Sequence, residues 1–257
     1  MTATSPIHQT LLDSLWDFSD PAGSAERFRR AEADAAAYDD DARAELQTQL
    51  ARALGLQGSF DEGHAVLDTV ASPSAHVRAR ADLERGRLLR SAGLTEDAVP
   101  LFTLAAREAA AAGAQFIALD ALHMLALTDA GHEEEWAATG LAVLEQAVDD
   151  RTRRWGVALH NNLAWHLHDT GRPEEALGEF EQALAVATAV GTPEQRFIGR
   201  WGVARCLRSL GRGAEALAIQ QELAAERPGE ESVQAELLQL AELAELAALA
   251  EVDDYEK

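Results

Sequence analysis

The side chains with the most chemistry in this chain are three histidines, one cysteine and two adjacent asparagines. His160, His166 and His168 lie on one stretch, but their spacings of two and six residues scatter them around a helix, whereas a helical metal pair needs three or four. No zinc site is expected there. Cys206 stands among Val203, Ala204 and Leu207, surroundings that suit a buried inert thiol rather than a nucleophile. No glycine-rich phosphate loop follows a strand pattern, and the many glutamates read as solvated helix faces rather than as an acid–base pair. The chemistry that remains is recognition. Asn161 and Asn162 sit in mid-helix, where two amides cost helix propensity, and each offers a donor and an acceptor to an extended peptide backbone.

The elements that carry these residues follow from periodicity. In residues 160–186 apolar side chains recur at helical spacing twice, first through Leu163, Ala164 and Leu167, then through Ala176, Leu177, Phe180, Ala183 and Leu184. Between them Asp169-Thr170-Gly171-Arg172-Pro173 places a glycine where one helix ends and a proline where the next begins. This helix–turn–helix unit has imperfect copies at 42–70, 79–112, 114–148 and 195–224. The turn glycines Gly58, Gly93, Gly131, Gly171 and Gly211 are 35, 38, 40 and 40 residues apart, a period that means a helical array. Gly86 stands at the spacing from Ala98, Phe102 and Ala105 that close packing of two helices requires. In the 114–148 unit, matching Leu125-Ala126 to Leu163-Ala164 implies a turn about two residues shorter.

Residues 7–18, with Leu11, Leu12, Leu15, Trp16 and Phe18, read as a short helix. Asp20-Pro21 then caps a second helix running through Phe28 and Ala31 to about Tyr38, making 1–40 a degenerate first pair. Arg227-Pro228-Gly229 breaks the last unit. Beyond it residues 230–252 form one Ala/Glu/Leu helix suited to capping the stack, with a frayed end after it. The whole chain, 1–257, reads as one all-α array of about five repeats over 42–225.

Composition narrows the partners. Asp and Glu outnumber Lys and Arg by 44 to 22, and the formal charge of −22 repels nucleic acid and anionic lipid. Lys257 is the single lysine, and such arginine-rich usage fits a GC-rich, bacterial genome. One cysteine forms no internal disulfide, the N-terminus lacks a signal-peptide pattern, and no apolar run reaches the ~18 residues that span a bilayer. A soluble cytoplasmic protein without cofactor is expected, monomeric or homodimeric.

The combined spacing resembles the tetratricopeptide repeat (TPR), carried by Leu163, Ala164, Leu167, Gly171, Ala176, Phe180 and Ala183, and again by Gly86, Leu89, Gly93, Ala98, Phe102 and Ala105. The units are longer than the family's usual 34 residues and mostly lack its closing proline. With Asn-Asn-Leu-Ala in the first helix they resemble the repeats of kinesin light chains and of bacterial peptide-sensing regulators. The first 40 residues are too short and too acidic for the DNA-binding domain such regulators carry.

The resemblance implies a right-handed superhelical α-solenoid whose first helices line an inner groove, with inner-helix asparagines contacting a peptide backbone. On that register the groove residues are Asn161, Asn162, Trp165 and His168 in the central unit and Trp201, Arg205 and Arg208 in the last. The 79–112 unit supplies Arg80, Leu83, Glu84, Arg87 and Arg90, and the irregular unit His123 and Met124. Arginine forks suit carboxylates and tryptophan supplies apolar area, so a short acidic peptide or a C-terminal carboxylate fits such a surface. The plainer account keeps Arg80 paired with Glu84 along its own helix and uses Trp165 and Trp201 for packing between units. A non-enzymatic peptide-binding scaffold or adaptor is therefore expected. The alternatives are self-assembly through the C-terminal helix, or a regulator binding a small anion among Arg87, His123 and Arg205.

Overall fold

A computed structural model of the chain describes residues 9–34 and 39–255, without the side chains of 10 and 247–255. Every regular element among these residues is helical, and the packing divides the chain into an N-terminal unit, Met1–Glu145, and a C-terminal unit, Gln146–Lys257. The fold is an all-α helical repeat.

In the N-terminal unit four helix pairs follow one another: α1 (Gln9–Leu15) with α2 (Pro21–Ala33), α3 (Asp40–Leu56) with α4 (Phe60–Asp68), α5 (Ala75–Ser91) with α6 (Thr95–Ala111), and α7 (Gln115–Ala126) with α8 (Glu133–Leu144). The starts of α2 and α3 are fixed by acidic caps: Asp20, as expected, accepts through Oδ1 from the Gly23 amide at 2.9 Å, and Asp39 Oδ1 accepts from that of Ala42 at 2.7 Å. Helix α1 ends at Leu15, so Trp16 and Phe18 lie beyond it rather than on it. The expected helical residues 7, 8 and 38 fall outside the described residues.

The C-terminal unit begins with the single-turn α9 (Asp150–Arg153), then pairs α10 (Trp155–Asp169) with α11 (Pro173–Val190) and α12 (Pro193–Ser209) with α13 (Gly213–Glu226), and ends on α14 (Glu231–Tyr255). Helix α14 is continuous through Tyr255, past the fraying expected from 253 onward, because no breaker interrupts its Ala/Glu/Leu run. Its early residues Val233 and Leu240 are buried on the preceding pair.

The turn glycine expected at 171 has φ +81°, a conformation that costs a residue with a Cβ; its amide donates to His168 O and that of Arg172 to Leu167 O, closing the helix end. The irregular repeat departs from expectation. Helix α7 stops at Ala126 and six residues, 127–132, connect it to α8, where three connect α10 to α11. The connection is longer because the helix is shorter; Trp136 Nε1 donates across it to Asp129 at 2.8 Å.

Within each pair the helices meet through small residues. A Cβ on Gly86 would lie 2.6 Å from the ring of Phe102, which is fully buried, so the close approach read from sequence is real. In the C-terminal unit Phe180 is likewise buried, and Gly202 of the next pair leaves room for its ring, a Cβ there lying 2.8 Å from it.

Candidate functional site

The residues expected to line a groove fall into two sets, one in each unit. In the N-terminal unit the inner helices α3, α5 and α7 present alternating charges. Arg80, only 4% exposed, holds Glu45 of α3 with Nε 2.6 Å from Oε1. Glu84, fully buried, lies 3.3 Å from Arg87 and 3.9 Å from Arg52, and Arg87 reaches on to Asp120 of α7. Arg80 therefore pairs with the neighbouring helix rather than with Glu84, whose nearest partner is Arg87 of its own helix. Sequence spacing counts only contacts within a helix, whereas stacking brings Glu45 closer.

Each acid of this ladder faces an arginine. Burial alone would raise Asp120, but the charges of Arg87 and Arg52 outweigh it and hold the carboxyl below its ordinary range. His123 sits at the end of the ladder, where burial, aided by Arg87 and Arg90, lowers its pKa to about 4 and keeps it neutral. Leu83 and Met124 are not groove residues: both are buried in the core with Phe102 and Leu125. They lie on the apolar side of α5 and α7, one step around from where the matched register puts them. At the other end Arg52 lies over Trp16 and Phe18, 5.7 and 5.5 Å from their ring centres, a platform that helical periodicity does not signal because both rings follow the end of α1.

In the C-terminal unit α10 and α12 bring Asn161, Asn162, Trp165, His168, Trp201, Arg205 and Arg208 to neighbouring inner helices. All seven are partly exposed. Trp165 and Trp201 lie 6.0 Å apart between ring centres, and Trp165 also meets Phe180 edge-on at 4.8 Å. They thus pack between repeats while keeping part of their surface in solvent. His168 Nε2 lies 2.9 Å from Ser209 Oγ, to which Arg205 donates at 2.7 Å.

The arginines of this set already hold a carboxylate. Glu236 of α14, 5% exposed, accepts from Arg208 Nε at 2.7 Å and from its second nitrogen at 3.0 Å, and lies 3.2 Å from Arg205. Trp201 Nε1 donates to Ser232 O at 3.3 Å. The sequence signal of these arginines is a fork suited to a carboxylate; that the carboxylate comes from α14 emerges only from the packing. Asn161, by contrast, makes no side-chain hydrogen bond among the described residues.

Other candidates resolve as structure. His160 is 2.7 Å from Glu179 of α11. Cys206 is buried, its thiol 3.2 Å from Pro173 O, and burial pushes its pKa up. Among the described residues no cluster of three or more His, Cys, Asp or Glu is placed to hold a metal, and no helix is long and apolar enough to cross a membrane. Arg87 and His123 lie in one unit and Arg205 in the other.

A family model described as tetratricopeptide repeat matches residues 158–194. A comparison with curated protein sequences returns no match. Among solved structures, a Podosopora anserina kinesin light chain protein with nearly identical TPR-like repeats is similar at 20% identity, covering 77% of this chain and 97% of that one with a TM-score of 0.56. BtubC (BKLC) from P. vanneervenii is similar at 16% identity over 86% of this chain and 93% of its own, with a TM-score of 0.62. These likenesses carry the fold. Residues 158–194 thus match the tetratricopeptide repeat, within a chain whose all-α helical repeat fold resembles that of kinesin light chain repeats.

Proposed function

We propose that the C-terminal unit is a non-enzymatic adaptor surface that holds a short peptide or protein tail across α10 and α12. TPR folds generally mediate contacts between proteins, which gives the class. One observation carries the reading: the Trp165–Trp201 pair, partly exposed, stands beside Asn161, whose amide has no hydrogen bond within the described chain. An aromatic pair offers apolar contact at low entropic cost, and an uncommitted amide offers backbone hydrogen bonds. Arg205 and Arg208 add affinity for an acidic segment only by exchange with Glu236, and in the other unit Arg80 and Arg87 are likewise occupied by Glu45, Glu84 and Asp120. The anchor is therefore apolar, with charge in a secondary part. The net charge of −22 disfavours nucleic acid and anionic membrane as partners. We place the protein in the cytoplasm.

The test is selection of displayed random peptides on the full chain, followed by affinity measurement against Asn161→Ala and Trp201→Leu. Selected peptides should carry a large apolar residue and lose at least tenfold in affinity to the doubly substituted chain, with its helicity and melting retained. Equal affinity for parent and variant sinks the assignment.

A further inference from the structure

Helix α14 takes the place of an inner helix packed on α13 and α12, and among the described residues no second helix packs behind it. Leu240 packs 3.9 Å from a Cβ built on Gly213, the first residue of α13, just as Cys206 of α12 reaches Pro173, the first residue of α11. Leu240 therefore stands where Cys206 does, and Leu238 stands where Ala204 does. In the complete repeats this place is shut: Ala51, Ala164 and Ala204 are all 0% exposed. It faces the second helix of the same pair, since Gly86 meets Phe102 of α6 and Gly63 of α4 lies against the Ala51 carbonyl. Leu238 is 67% exposed, because among the described residues nothing follows α14 to cover it.

The open face has a defined chemistry. Leu238, Glu242, Glu245 and Leu246 fall at i, i+4, i+7 and i+8, so they share one side of the helix, and all four are exposed. Between 231 and 255 the sequence has seven acidic residues and no lysine or arginine. A second copy of α14 would set glutamate against glutamate within a chain already at −22. A helix with a leucine stripe flanked by basic residues satisfies both the apolar positions and the charge.

We propose that this face of α14 docks a basic amphipathic helix of a partner protein, which completes the last helix pair as α13 completes α12. This surface is separate from the inner face of α10 and α12, and it stands whether or not that face binds a peptide.

The probe is an 18-residue fluorescent peptide with leucine at helical spacing and lysine elsewhere, compared with its glutamate counterpart, each titrated against the full chain. The lysine peptide should bind and gain helicity, the glutamate peptide should not. Binding should weaken at least tenfold in Leu238→Ser/Leu246→Ser and in Glu242→Gln/Glu245→Gln, and stay unchanged in Leu217→Ser, an exposed leucine of α13. All substituted side chains are exposed, so melting should be unaltered. Equal binding by all the variants overturns the proposal. So does concentration-dependent dimerisation that Leu238→Ser/Leu246→Ser abolishes, which makes a second copy the occupant.

Discussion

Gln220 is the residue at which the core departs most from its own pattern. It lies nine residues after the turn glycine Gly211, as Phe102 and Phe180 follow Gly93 and Gly171, and like them it is 0% exposed. Both amide atoms are buried without a hydrogen-bond partner. Leaving a buried donor or acceptor unmade costs ~1–3 kcal/mol, and replacing the group by an apolar one of similar shape removes that cost. Gln220→Met keeps length and flexibility, so it should stabilise by about 2 kcal/mol, or roughly 4–8 °C at about 2–4 °C per kcal/mol for a chain of this size. Gln220→Phe should gain less. Phe180 is accommodated by Gly202, whereas the corresponding residue of α14 is Glu236, which is occupied with Arg208. The assay is urea unfolding of the full chain followed by circular dichroism, with the gain in midpoint and an unchanged slope as the expected result. A Gln220→Met midpoint at or below that of the parent refutes the reasoning, because it means the amide contributes bonds that apolar packing does not replace.

Two further predictions use the same logic of sites that differ in one physical respect. Gly86→Ala should destabilise by about 1–3 kcal/mol, since its Cβ meets the immovable Phe102 ring, although alanine is otherwise the better helix former. Gly178→Ala, in the exposed middle of α11 with nothing within 4 Å, should instead stabilise by up to ~1 kcal/mol, and thermal melting of the pair reads the opposite signs. For pH, His123 has its folded pKa depressed from 6.5 to about 4, so its contribution is fully present above pH 6.5 and is lost as pH falls through that window. The unfolded chain takes up the proton first, and the loss is of order 2–3 kcal/mol. In His123→Gln the stability curve between pH 6.5 and 4 should flatten, and an unchanged slope refutes burial as the cause.

What is legible in the sequence, and what is not, divides along contact range. Helix pairs and turn glycines depend on side chains a few residues apart, and the approach of Gly86 to Phe102 joins two helices across a single short turn, so periodicity fixes the geometry of both. The irregular repeat escapes that reading because matching Leu125-Ala126 to Leu163-Ala164 assumes helices of equal length, whereas α7 ends at Ala126 and spends the difference in its connection. The arginines escape it for another reason. Their chemistry, a fork seeking a carboxylate, is visible in residue type, but Glu45, Asp120 and Glu236 lie 28 to 35 residues away from Arg80, Arg87 and Arg208, and only stacking of inner helices brings them into range. Cationic positions on an inner helix of an acidic chain are therefore poor evidence of a binding site until the neighbouring inner helix has been searched for acids. Amide and aromatic positions are better evidence, since burying them unpaired is costly and leaving them exposed beside one another needs a reason. By that criterion Asn161 with Trp165 and Trp201 outranks every arginine that the repeat register places in the groove.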